Sequence, residues 1–92
     1  RRILYNLGYA YFFRPTGDRG DNIAKTIAAL TESLSASELT EDGVDRADTY
    51  HLLGAAYHDA RHGSRPDNLK NAAAAYRAAL ANLDQDVDPA KY

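Results

Sequence analysis

The chain repeats itself with a period of 46 residues, which restricts it to folds built from two copies of one unit. Laid on itself at that offset without a gap, it gives 12 identities over 46 aligned positions. Leu7-Gly8 falls on Leu53-Gly54, Ala10-Tyr11 on Ala56-Tyr57, Gly17 on Gly63 and Arg19 on Arg65. Asp21-Asn22 falls on Asp67-Asn68, Ala28-Ala29 on Ala74-Ala75, Leu34 on Leu80 and Asp42 on Asp88. A period of this size belongs to helical solenoids, in which one unit cannot bury its apolar face alone and stacks on the next.

Each half reads as two helices. Leu4, Leu7 and Tyr11 recur at i, i+3 and i+7, and Tyr50, Leu53 and Tyr57 repeat that face. A break follows, Arg14-Pro15-Thr16-Gly17-Asp18-Arg19-Gly20 in the first half and His62-Gly63-Ser64-Arg65-Pro66 in the second. Asp21 and Asp67 then stand where an N-cap belongs, immediately before the next periodic run. That run carries Ile23, Ile27, Leu30 and Leu34, matched by Leu69, Ala73, Tyr76 and Leu80.

The pattern predicts an all-α fold with helices near 2–14, 22–36, 45–61 and 68–83. Units 1–46 and 47–92 are two antiparallel helix hairpins, stacked as a segment of an α-solenoid. The predicted core is Leu4, Leu7, Gly8, Tyr11, Ile27, Leu30, Leu34, Leu53, Gly54, Tyr57, Leu69, Tyr76 and Leu80. The connection from Ser35 to Asp45 is polar and holds the turn Thr40-Glu41-Asp42-Gly43. Residues 86–92 repeat it, and Pro89 suits a first helical position, so a third unit is expected to begin there. The chain has no methionine, and with two open-ended units it reads as a piece of a longer array.

Leu4-x-x-Leu7-Gly8-x-x-Tyr11 and Tyr50-x-x-Leu53-Gly54-x-x-Tyr57 resemble the first helix of a tetratricopeptide repeat. Thr26-x-x-x-Leu30-x-x-Ser33 and Ala72-x-x-x-Tyr76-x-x-Ala79 resemble its second helix, in which small residues flank a large one. The usual unit has about 34 residues, so the period of 46 departs from it. The extra length and the run Gly17-Asp18-Arg19-Gly20-Asp21-Asn22 are similar to long-loop arrays of bacterial multidomain proteins, often joined to caspase-like CHAT peptidase domains. In physical terms, Gly8 and Gly54 are mid-helix glycines, which cost about 1 kcal/mol relative to alanine unless a neighbouring helix needs the space.

The resemblance implies that the first helices line a concave surface. Its groove-facing positions are Arg2, Tyr5, Tyr9, Phe12 and Phe13 in unit one, and Asp48, His51, Ala55, His58 and Asp59 in unit two. Tyr5, Tyr9 and Phe12 form an apolar stripe apart from Leu4, Leu7 and Tyr11, as a contact surface does. The competing reading packs these aromatics on a preceding repeat or an adjoining domain. Some family members hold a partner's C-terminal carboxylate with Lys and Asn on the first helices. Tyr5, Tyr9, His51 and Ala55 stand there instead, which favours a peptide with apolar anchors.

Other chemistry finds little support. Eleven Lys and Arg against 13 Asp and Glu give a net charge of −2, without the basic cluster a nucleic acid requires. No apolar run reaches the roughly 18 residues of a membrane span. The absence of cysteine removes disulfide and thiolate chemistry and fits a cytoplasmic setting. No Gly-x-Ser-x-Gly elbow or catalytic triad is present. His58 and His62 have a chelating spacing, but His62 abuts Gly63, where the helix ends. Asp84-x-Asp86-x-Asp88 opens like a calcium loop and fails at Pro89. Gly17-Asp18-Arg19-Gly20-Asp21 lacks the lysine of a phosphate loop and reads as turn chemistry. No cofactor, metal or catalytic residue is therefore expected. The expected function is a non-catalytic scaffold that binds a protein or peptide. The alternative is a regulatory or sensor segment of a larger bacterial enzyme or signalling protein, such as a CHAT-type peptidase.

Overall fold

The computed structural model describes residues 3–37 and 43–86. All regular structure among them is helical: α1 (Ile3–Phe12), α2 (Arg19–Ser37), α3 (Gly43–Asp59) and α4 (Arg65–Asp86). Arg2, the turn at 40–42 and the stretch containing Asp88 and Pro89 lie outside the described residues. No helix among those described is long and apolar enough to cross a membrane.

Helices α2 and α4 begin three residues earlier than the periodicity predicts, because the caps are Asp18 and Ser64 rather than Asp21 and Asp67. The Asp18 carboxylate accepts the backbone N–H of Asp21 at 2.9 Å, and the Ser64 hydroxyl accepts that of Asp67 at 3.4 Å. The Asp18 and Ser64 carbonyls also accept the first intrahelical bonds, from Asn22 and Asn68, each at 2.9 Å. That combination defines an N-cap. Asp21 and Asp67 sit in the first helical turn, where a negative charge suits the helix dipole.

The same turn is built twice, and the identities within the break have roles in it. Gly17 and Gly63 reverse the chain at φ values of 86° and 81°, a region costly for any residue with a Cβ. The Asn22 side-chain amide donates to the Thr16 carbonyl at 2.9 Å, and that of Asn68 donates to the His62 carbonyl at 2.8 Å. Arg19 donates to the Phe12 carbonyl at the end of α1, and Arg65 to the His58 carbonyl near the end of α3. These carbonyls lie in the last helical turn, where no intrahelical partner exists. Side chains thus close the outgoing helix and start the incoming one within a short loop, folding neighbours back on each other.

Each helix packs on the next in chain order, and α1 also touches α3 at a few points. Among the described residues α4 meets neither α1 nor α2. The molecule is correspondingly elongated, 47 × 30 × 20 Å. Within each hairpin a glycine lets the helices approach. A Cβ on Gly8 would lie 2.8 Å from Leu30 Cδ2, and one on Gly54 would lie 2.8 Å from the Tyr76 ring. Leu30 and Tyr76 are themselves a matched pair at the repeat offset. Beside Gly8, the buried Thr26 hydroxyl lies 2.8 Å from the Asn22 carbonyl and 3.2 Å from the Gly8 carbonyl, so its one proton has an acceptor inside the core.

The buried core contains Phe12, Ile23, Leu30, Leu52, Leu53, Ala56 and Ala75, with Tyr5, Ile27, Leu34, Tyr50 and Tyr57 packed against it. Gly8 and Gly54 are buried as predicted, and Leu4 and Tyr11 are half-buried. Four predicted core residues are corrected: Leu7, Leu69, Tyr76 and Leu80 are exposed. Leu7, Leu69 and Leu80 face largely outward, whereas the Tyr76 ring lies against Gly54 on one side and borders an open cleft on the other. Phe12, expected to face a partner, is a core residue instead.

Candidate functional site

Helix α1 is short and unusually aromatic, and its spacing decides where the rings go. Tyr5, Tyr9 and Phe13 are four apart, so they align along one edge of the helix. The rings form a continuous ladder: Tyr5 to Tyr9 at 6.2 Å between centroids, and Tyr9 to Phe13 at 4.6 Å. Phe12 stands edge-on to Phe13 at 4.9 Å and turns inward. The Arg19 guanidinium lies over its ring at 4.6 Å, which holds Phe12 against the start of α2. Tyr9 and Phe13 remain 49% and 58% exposed.

The ladder forms one wall of a groove of about 270 Å³, and α3 forms the other. Asp48, His51, Leu52 and Ala55 line the α3 side, one to two turns of a single helix face. The structure therefore brings together Tyr5, Tyr9, Phe12, Phe13, Asp48, His51 and Ala55 from the two units. Tyr5 is half-buried and braced on the core, and Phe12 serves as floor rather than as wall.

Two of the predicted residues stand apart from the groove. His58 is exposed near the end of α3, with Nδ1 3.6 Å from the Asp59 carboxylate. Asp59 also receives Arg19 at 3.4 Å, an ion pair that ties the start of α2 to the end of α3. It serves the contact between hairpins, and its part-exposed geometry makes it a modest tie. The two histidines that could chelate do not share a helix, because α3 ends at Asp59. His62 instead faces Asp21 at 3.4 Å, within an exposed trio that includes Asp18.

Sequence reasoning missed Leu52 as a lining residue. Its counterpart Asn6 is polar, so the repeat gave no signal there. It also missed a second cleft, of about 390 Å³, between α3 and α4. Tyr76, Leu80 and Leu83 line one side of it, with His51 5.5 Å from the Tyr76 ring between centroids.

In chemical terms the α1–α3 groove offers aromatic edges, one carboxylate and one imidazole. Rigid aromatic rings supply large contact area at little entropic cost, and flanking polar groups fix orientation. Comparison with protein-family models, with curated proteins and with solved structures returns no match.

Proposed function

We propose that the chain is a tetratricopeptide-like segment acting as a non-catalytic scaffold, with the α1–α3 groove as its peptide-binding surface. The observation that carries this reading is the ladder of Tyr5, Tyr9 and Phe13 facing Asp48 and His51. Tyr9 and Phe13 are large, exposed and adjacent, and neither belongs to the buried core cluster. The solenoid part of the reading is supported by packing in strict chain order and by the repeated Gly8–Leu30 and Gly54–Tyr76 approaches. The favoured ligand is an extended or helical segment with apolar anchors spaced to meet the rings. Its basic or hydrogen-bonding group would meet Asp48.

The test is selection from a random peptide display library, followed by calorimetric titration of the selected peptide. Tyr9→Ala and Phe13→Ala should each weaken binding by about tenfold or more, as aromatic hot spots do. Both should leave far-UV circular dichroism unchanged. Equal binding by the wild type and both variants refutes the groove as the site.

A further inference from the structure

The exposed apolar side chains sort by comparing each residue with its counterpart 46 positions away. Several small residues between the helices of one hairpin match in burial. Gly8 and Gly54 are both buried, as are Ala29 and Ala75, Thr26 and Ala72, and Ser33 and Ala79. A second set does not match. Ile3, Leu7 and Ala10 are exposed on α1, while their counterparts Thr49, Leu53 and Ala56 are buried on α3. On the second helices the difference runs the other way. Ile23 and Leu30 are buried and Leu34 is packed on the core, while Leu69, Tyr76 and Leu80 are exposed.

One neighbour explains both differences. Among the described residues, α3 has α2 behind it and α1 has no such helix, while α2 has α3 in front of it and α4 has none. Residues 3, 7 and 10 form a single helical stripe, and so do 69, 76 and 80. The α1 stripe is the surface with which a first-type helix packs on the preceding hairpin. The α4 stripe, flanked by the 390 Å³ cleft, is the surface that receives one.

We propose that the chain associates with itself head to tail. The Ile3–Leu7–Ala10 stripe of one copy seats on the Leu69–Tyr76–Leu80 stripe and adjoining cleft of another. The complementarity is already realised inside one chain, where Leu53 and Ala56 pack in the cluster that contains Leu30 and Ile23. A second copy is the occupant with the matching face open: Ile3 is 71% and Leu80 63% exposed. The contact is heterologous, so one end of each copy stays free and association continues beyond a dimer. Asn6 stands where α3 has the buried Leu52, which makes the contact between copies weaker than the internal one. Neither Tyr9 nor Phe13 belongs to either stripe, although the cleft and the peptide groove share Asp48 and His51 as lining residues.

Sedimentation velocity of the full chain tests it, from about 10 µM to about 1 mM, the range of weak interfaces. The weight-average mass of the wild type should rise through and past that of a dimer. Ile3→Glu blocks one end and Leu80→Glu the other, each placing a charge in the contact and weakening it on the order of a hundredfold. Each variant alone should stay monomeric with an unchanged helical spectrum. An equimolar mixture should form a one-to-one dimer that grows no further, because one compatible pair of ends remains. A wild type that stays monomeric throughout overturns the proposal and leaves the stripes to other helices of a longer chain or to another protein. A wild type that plateaus at a dimer overturns it in favour of a two-fold contact. A mixture without dimers overturns it as well. The wild-type arms need no variant to fold.

Discussion

Replacing Gly8 with alanine sets two opposing effects against each other. The helix gains about 1 kcal/mol, because alanine loses less backbone freedom than glycine. Against this, the new Cβ stands 2.8 Å from Leu30 Cδ2 and 3.0 Å from its Cγ, roughly 0.7 Å inside an ordinary carbon contact. Leu30 is 0% exposed and lies within the cluster shared by the hairpins. It has no free space to enter, so the helices must separate. Overpacking of this kind costs about 1–3 kcal/mol, and with two Leu30 atoms affected the upper half applies. The net loss should be about 1–2 kcal/mol, or roughly 5–15 °C in Tm for a domain of this size.

Gly54→Ala makes the same local change with a different outcome. Its Cβ meets the Tyr76 ring at 2.8 Å, but that ring is 36% exposed and borders an open cleft. The ring can swing outward, so the propensity gain nearly offsets the displacement, and stability should stay within about 0.5 kcal/mol of wild type. Urea unfolding followed by far-UV circular dichroism measures both variants. Adding Leu30→Ala to Gly8→Ala should cost less than Leu30→Ala alone, since the overlap disappears and the new methyl fills part of the cavity. A Gly8→Ala protein as stable as wild type, or a Gly54→Ala protein that is the more damaged of the two, refutes the reasoning.

Other substitutions separate core from surface. Phe12→Ala should cost about 3–4 kcal/mol and Phe13→Ala less than about 1, although the two are adjacent aromatics; chemical denaturation reads both. Asn22→Ala removes the bond to the Thr16 carbonyl at a buried position and should cost about 1–3 kcal/mol. Asn68→Ala, at a half-buried position, should cost about 1 in thermal melts. Arg19→Ala should destabilise more than Arg65→Ala, because Arg19 also stacks on Phe12 and reaches Asp59. A double-mutant cycle between Arg19 and Asp59 should return no more than about 1 kcal/mol, since both side chains are partly exposed.

The helical character and the break between the paired helices were legible because both rest on local rules. Apolar spacing marks one face of a helix, and Gly17 and Gly63 interrupt it where the backbone needs a positive φ. The caps were misplaced for an instructive reason. Asp21 and Asp67 are identical in both units, whereas the true caps, Asp18 and Ser64, are chemically equivalent acceptors of different type. A search for identity overlooks a role that two residue types fill equally well. Part of the groove was legible too, because Tyr5 and Tyr9 fall outside the apolar face of α1. That Phe12 turns inward while Phe13 turns outward depends on Arg19 and on where α1 ends.

The sequence by itself determined the repeating unit, its helices and the close approach at Gly8 and Gly54, all set within one hairpin. It did not determine which apolar residues are covered. Leu7 and Leu53 are the same residue at the same helical position, yet one is exposed and the other buried. Leu34 and Leu80 differ in the same way: Leu34 packs on the core and Leu80 is exposed. Local pattern is equal within each pair; what differs is whether another helix lies against that face. Burial counts neighbours from distant parts of the chain, so only the tertiary structure decides it.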